Sequence, residues 1–132
     1  MIELTYRPAT LDDAPGIARV HCESWWSTYR GLLADAVIRD RTDFDKRLHG
    51  WQSILSSDGQ SVWVALRDDI VVGFASGGAV QDSAVATEDD CSGQLYALYL
   101  VGSAQRLGVG SALLACVLDD LSATGHARVR VE

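Results

Sequence analysis

The chain has 132 residues, 48% hydrophobic and 22% charged, with 12 glycines and two prolines. That length and balance set the expectation of one soluble globular domain spanning 1–132, and exclude a disordered or fibrous chain. A formal charge of −7, from 11 Lys and Arg against 18 Asp and Glu, argues against a nucleic-acid partner, which needs a basic face; it serves solubility or steers cationic partners.

No apolar run reaches the roughly 20 residues that a membrane-crossing helix needs. Residues 1–7 lack the basic and apolar regions of a secretion signal. Cys22, Cys91 and Cys116 form neither a disulfide framework nor a metal-ligand spacing. No membrane partner and no metal are expected, and a reducing cytoplasm is the expected compartment.

Residues 2–7, Ile-Glu-Leu-Thr-Tyr-Arg, alternate apolar and polar as a half-buried strand does, and Pro8 ends it. Thr10 is placed to cap a helix whose first turn holds Asp12, Asp13 and Pro15. Leu11, Ala14, Ile17, Ala18 and His21 form its apolar stripe. Three aromatics in five residues follow, Trp25, Trp26 and Tyr29. They either pack between two helices or form the wall of a substrate cleft. A second helix is predicted over roughly 43–55, with Phe44, Arg47, Leu48, Trp51 and Leu55 on one side.

Residues 61–66 and 70–75 read as two strands joined by a short antiparallel hairpin at Arg67-Asp68-Asp69. The polar, acidic stretch 81–92 is a predicted loop. Residues 94–101, Gln-Leu-Tyr-Ala-Leu-Tyr-Leu-Val, are a strong strand. From Val109 the apolar spacing turns helical through Ala112, Leu113, Cys116, Val117 and Leu121, and Gly125 is placed to end that helix. Residues 126–131 alternate again. The last strand–helix–strand unit should therefore be parallel, with a right-handed crossover.

Between the strong strand and the last helix lies Gln105-Arg106-Leu107-Gly108-Val109-Gly110-Ser111. A strand, a glycine-bearing loop and a helix start make a place for an anion. Early helix N–H groups lack partners there, and the helix dipole is positive. Bare glycines let a phosphate reach the main chain. Ser111 adds a hydroxyl and Arg106 a cation. A Walker loop is excluded by the missing lysine, and the dinucleotide fingerprint by Leu113 at its third glycine. The other reading of Gly108 and Gly110 is close packing of helix on strand.

The 105–110 segment resembles the Gln/Arg-x-x-Gly-x-Gly/Ala signature of the GNAT superfamily of N-acetyltransferases. The strand 94–101 is similar to that family's fourth strand. Residues 6–14, Ser24-Trp25 and the run 29–33 are similar to openings common among bacterial members. The resemblance implies an α/β fold with a mixed central sheet in the order β-α-α-β-β-β-α-β, lacking the usual last helix and strands. It implies acetyl-CoA as co-substrate. Backbone groups of Leu98, Tyr99 and Leu100 would hold the pantetheine arm and acetyl group, in a splay between the fourth and fifth strands. Gln105, Arg106, Leu107, Gly108, Val109, Gly110 and Ser111 would cradle the pyrophosphate. The implied reaction is direct attack of an amine, of a small molecule or a protein, on the thioester. The Leu100 N–H would polarise the carbonyl, and no cysteine nucleophile is needed. Trp25, Trp26 and Tyr29 would border the acceptor.

Two departures stand out. Relatives often carry a glutamate where this chain has Gln94, which is no base near neutral pH. Glu88, Asp89, Asp90, Glu23 and His21 are alternatives acting through water, or else surface charges and a packed imidazole. The chain also stops at Glu132, before the helix whose tyrosine is proposed to protonate the leaving thiolate. A shortened chain, a naturally short one, or completion of the sheet by a partner subunit would each account for this, and a homo-oligomer, a dimer, is expected. The expected activity is N-acetyl transfer; the alternative is an acyl-CoA-binding regulatory or assembly module.

Overall fold

A computed structural model describes residues 4–57, 59–79, 93–104, 107–125 and 129–131. Strand β1 (Leu4–Pro8) is followed by three helices, α1 (Ala14–Tyr29), α2 (Asp35–Arg41) and α3 (Phe44–Leu55). Strands β2 (Gln60–Arg67), β3 (Ile70–Ala79) and β4 (Gly93–Leu100) follow, then α4 (Val109–Ala123) and β5 (Val129–Val131). The sheet runs in sequence order. β1 to β4 pair antiparallel and β4 pairs parallel with β5. This is the expected α/β architecture with one helix more than expected. The predicted loop 81–92 and the first residues of the predicted last strand, 126–128, lie outside the described residues.

The local chemistry accounts for the element ends. Thr10 caps a 3-10 turn (Leu11–Asp13) that runs directly into α1. The Thr10 N–H donates to Asp13 Oδ2 at 2.7 Å, and Arg7 donates to both Asp13 oxygens at 2.6 and 2.9 Å. Burial pushes the Asp13 carboxyl up, but the hydrogen bonds from Arg7 and Thr10 outweigh it and hold it below the ordinary carboxylate range. The β2–β3 hairpin closes through Asp68 and Asp69, at φ 54° and 65°. Two positive-φ residues match the right-handed twist of a two-residue hairpin. Gly125, at φ 98°, follows the Thr124 cap of α4, as predicted.

The sheet lies between two helical layers. Ile17, Val20, Trp51, Val64 and Phe74 belong to the core on the α1 and α3 side. Ala75, Leu95, Val109, Leu113 and Val117 belong to the core under α4. Complete burial of a side chain such as Phe74 contributes about 2–3 kcal/mol. Leu11 and Phe44, predicted on apolar stripes, are 51% and 42% exposed, because both lie in the first turns of their helices, beyond the sheet's cover.

Two bulges set which residues face which layer. Ala65 pairs with Gly73 and Leu66 with Val71, so Val72 is the extra residue in β3. Val71 and Phe74, three apart, thereby share the α1 face. In β4, Ser76 pairs with Ala97 and Gly77 with Leu95, making Tyr96 the extra residue. Leu95 and Leu98 then both pack under α4. Among the described residues, β5 pairs with β4 only at 93–95. The bulge at Tyr96 directly follows the last β4 residue that pairs with the described part of β5.

Candidate functional site

The free side of β4 follows from its hydrogen-bond phase. The Val101 N–H donates to Val72 O at 2.9 Å, which fixes that pair as a bonded one. In an antiparallel ladder, bonded and non-bonded pairs alternate. Phe74–Tyr99 is then a bonded pair, and Gly73–Leu100 and Ala75–Leu98 are not. The N–H and C=O groups of Leu98 and Leu100 thus turn away from β3, into the space past the bulge. Ser24 Oγ from α1 donates to Leu100 O at 3.2 Å, in keeping with that direction. Leu98, Tyr99 and Leu100 share a cavity of about 260 Å³ with Ser24, Ser27 and Thr28. Those three hydroxyl residues sit at i, i+3 and i+4 on one face of α1.

Past Leu100 the chain passes a 3-10 turn (Gly102–Ala104) and reaches α4. Gly108 is the N-cap, at φ 77°. The first bond of the helix runs from Ala112 N to Gly108 O at 3.1 Å. The amides of Val109, Gly110 and Ser111 precede the ladder, at the positive end of the dipole. The Val109 side chain is wholly buried, so only its main chain can meet a ligand. Ser111 is exposed and Leu107 is 44% exposed. Among the described residues a Cβ on Gly108 would meet nothing within 4 Å, and one on Gly110 would meet Leu100 Cδ1 at an ordinary 3.6 Å. Close helix–strand packing therefore does not explain either glycine. Gly108 is required by its left-handed backbone and leaves space before the helix, while Gly110 faces Leu100 and Leu98 at ordinary contact distance. That geometry fits a diphosphate resting on the chain.

Gln105, Arg106, Glu88, Asp89 and Asp90 lie outside the described residues. Glu23 is exposed and pairs with Arg19 at 3.5 Å. Trp25 and Tyr29 stack on each other with centroids 4.5 Å apart, and Arg30 lies 6.0 Å over the Trp26 ring. The aromatics belong to α1 itself, and the cavity at β4 is lined by the neighbouring Ser24–Ser27–Thr28 face. Helical phase explains the difference: 25 and 29 share one face, while 24, 27 and 28 share another. The hydroxyl spacing was visible in the sequence but was masked by the larger signal of the tryptophans.

His21 is packed. Its ring stacks on Tyr99, with centroids 4.9 Å apart, and its Nδ1 accepts from Trp51 Nε1 at 3.2 Å. Burial, aided by the charge of Arg47, pushes its pKa down to about 4, so it is a weak base at neutral pH. Burial also raises the thiols of Cys22 and Cys116, leaving both poor nucleophiles. Among the described residues no group of three or more metal-ligating side chains occurs, and no helix is long and apolar enough to cross a membrane. A larger cavity, about 410 Å³, lies near the C-terminal end of α4 beside Asp120. There Asp120 Oδ2 accepts from Ser61 Oγ and Trp63 Nε1, both at 2.7 Å. These bonds tie α4 to β2.

Comparison with known proteins fits this arrangement. Residues 21–132 match the model of the acetyltransferase (GNAT) family. The uncharacterized N-acetyltransferase YuaI of Bacillus subtilis (strain 168) is 34% identical over 115 residues, which are 85% of this chain; the chain spans 61% of that relative's length. The PaiA N-acetyltransferase of Thermoplasma acidophilum, solved with coenzyme A, superposes with a TM-score of 0.74 at 20% identity, covering 98% of this chain and 78% of that one. The aminoglycoside N-acetyltransferase AAC(6')-Iy, also solved with CoA, gives 0.75 at 16% identity, covering 100% and 78%. The family model spans most of the chain, and the chain belongs to the GNAT acetyltransferase family.

Proposed function

We propose that this chain transfers the acetyl group of acetyl-CoA to an amine, of a small molecule or a protein, by direct attack. One observation carries the reading. The outward amides of Leu98 and Leu100 lead along the chain to the open N-terminus of α4. Acetyl-CoA brings the activated acyl group as a thioester. The amides of residues 109–111 and the helix dipole hold its diphosphate, with room left by Gly108. Ser111 offers a hydroxyl, and the roles of Gln105 and Arg106 rest on their place in the motif. The outward N–H of Leu100 meets the thioester oxygen as charge builds there, a contact of the kind worth about 10²–10³ in rate.

The nitrogen lone pair forms the C–N bond as the C–S bond breaks. The proton lost by nitrogen ends on the departing sulfur, directly or through water, so the products are an amide and the free thiol. Thiol release from acetyl-CoA across a panel of primary amines tests this, and amine-dependent release is expected. Gln94 favours a second reading, an acyl-CoA-binding regulatory module, which CoA binding without thiol release would support.

A further inference from the structure

This inference rests on the acetyl-transfer reading and concerns the acceptor. We infer that the hydroxyl face of α1, Ser24 with Ser27 and Thr28, receives a compact monoamine in its uncharged form, one bearing a hydrogen-bonding group, in preference to a polycation.

Size is the first argument. The described part of the cavity between α1 and β4 holds about 260 Å³, against roughly 300–1,000 Å³ for sites of drug-sized ligands. The acyl end of the thioester must share it. Charge is the second. None of the described residues lining the cavity is charged, and Glu23 on the same helix is paired with Arg19. An ammonium entering there meets no carboxylate among the described lining residues, so whatever water it loses lowers its pKa toward the free base. Only the free base attacks the thioester. The wall therefore performs part of a base's task, which Gln94 cannot perform and His21, with a pKa of about 4, performs poorly.

Hydrogen bonding is the third argument. Ser24 is buried and its proton is committed to Leu100 O, so its oxygen is left to accept. Ser27 and Thr28 are exposed, and each can donate or accept. A hydroxyl- or amide-bearing amine satisfies this row; a bare alkyl chain displaces its water without replacing those bonds, and a second ammonium finds no counter-ion among the described lining residues.

The test compares kcat/KM for 2-aminoethanol, propylamine, 1,3-diaminopropane and an aminoglycoside, in the wild type and in Ser27→Asp. The wild type is expected to prefer the hydroxylated monoamine over the diamine by about tenfold or more, and Ser27→Asp to reverse that order. Below the acceptor's own pKa, kcat/KM should rise about tenfold per pH unit, with the inflection moving from amine to amine. A wild-type preference for the diamine or the aminoglycoside overturns the inference, as does one fixed inflection for every amine, the mark of an enzyme base. Calorimetric titration of the same amines into the CoA-saturated protein reads selectivity without turnover. The same order of binding with no thiol release would sink acetyl transfer and uphold the cavity's selectivity; an absence of order in both assays would sink the inference itself.

Discussion

Gly73 and Gly77 on β3 and Gly108 and Gly110 at the start of α4 are bare for opposite reasons. A Cβ on Gly73 would stand 2.5 Å from Leu100 Cδ2, and one on Gly77 2.8 Å from Val117 Cγ1 and 2.9 Å from Gln94 O. At the start of α4, among the described residues, Gly108 would meet nothing within 4 Å and Gly110 nothing closer than 3.6 Å. The approach of α4 to the sheet is thus carried by the glycines of the strand. Those of the helix take no tight contact: Gly108 has open space among the described residues, and Gly110 only ordinary contacts with Leu100 and Leu98. A glycine-rich motif read as packing would have placed the tight contact on the wrong element.

The comparison breaks most visibly at Gly77. Gly77→Val should cost about 3 kcal/mol through overpacking against Val117 and the β4 backbone, measured by urea unfolding. A loss below about 1 kcal/mol would mean that the sheet relaxes freely there.

The packed side also carries a pH dependence. His21 titrates near 4 in the fold against about 6.5 when unfolded. The unfolded chain therefore binds the proton more readily, and stability present above pH 6.5 is lost as pH falls toward 4. The expected loss is about 2 kcal/mol, allowing for partial screening. His21→Gln should remove most of this slope in unfolding titrations, and an unchanged slope would assign it to other groups.

On the open side, Gly108→Asn tests the phosphate approach. Asparagine tolerates the left-handed backbone, so the melting temperature should move little. CoA affinity should fall about tenfold, or 1.4 kcal/mol, by calorimetry. Unchanged affinity would remove the phosphate cradle.

The smallest effect sharpens the contrast further. Gly110→Ala should stabilise the protein slightly, by about 0.5–1 kcal/mol, because the added methyl group meets only ordinary contacts. A clear destabilisation would restore the packing explanation for this glycine.

Much of the frame was legible in the sequence because single elements carry their own period. The alternation of Leu4 and Tyr6 with Thr5 and Arg7 and the helical stripe from Val109 each name the face turned to the core. Gly125 marks a helix end through its own backbone. Helix α2 escaped because, of its seven residues, only Ile38 is buried, too little for a stripe. The bulges at Val72 and Tyr96 are properties of pairing, and no single strand encodes them. The ladder phase set by the Val101–Val72 bond, likewise a property of pairing, decides that Leu98 and Leu100 turn outward. The motif gave the phosphate end of the site. The hydroxyl face of α1 became visible only once β4 lay beside it.

Backbone amide NMR with added coenzyme A addresses the central claim most directly. The account predicts that the largest shifts fall on the amides of Leu98, Leu100, Val109, Gly110 and Ser111, with little change at the inward-facing Tyr99 amide. Saturating CoA that leaves these resonances in place, or moves instead those around Asp120 at the far end of α4, would contradict it.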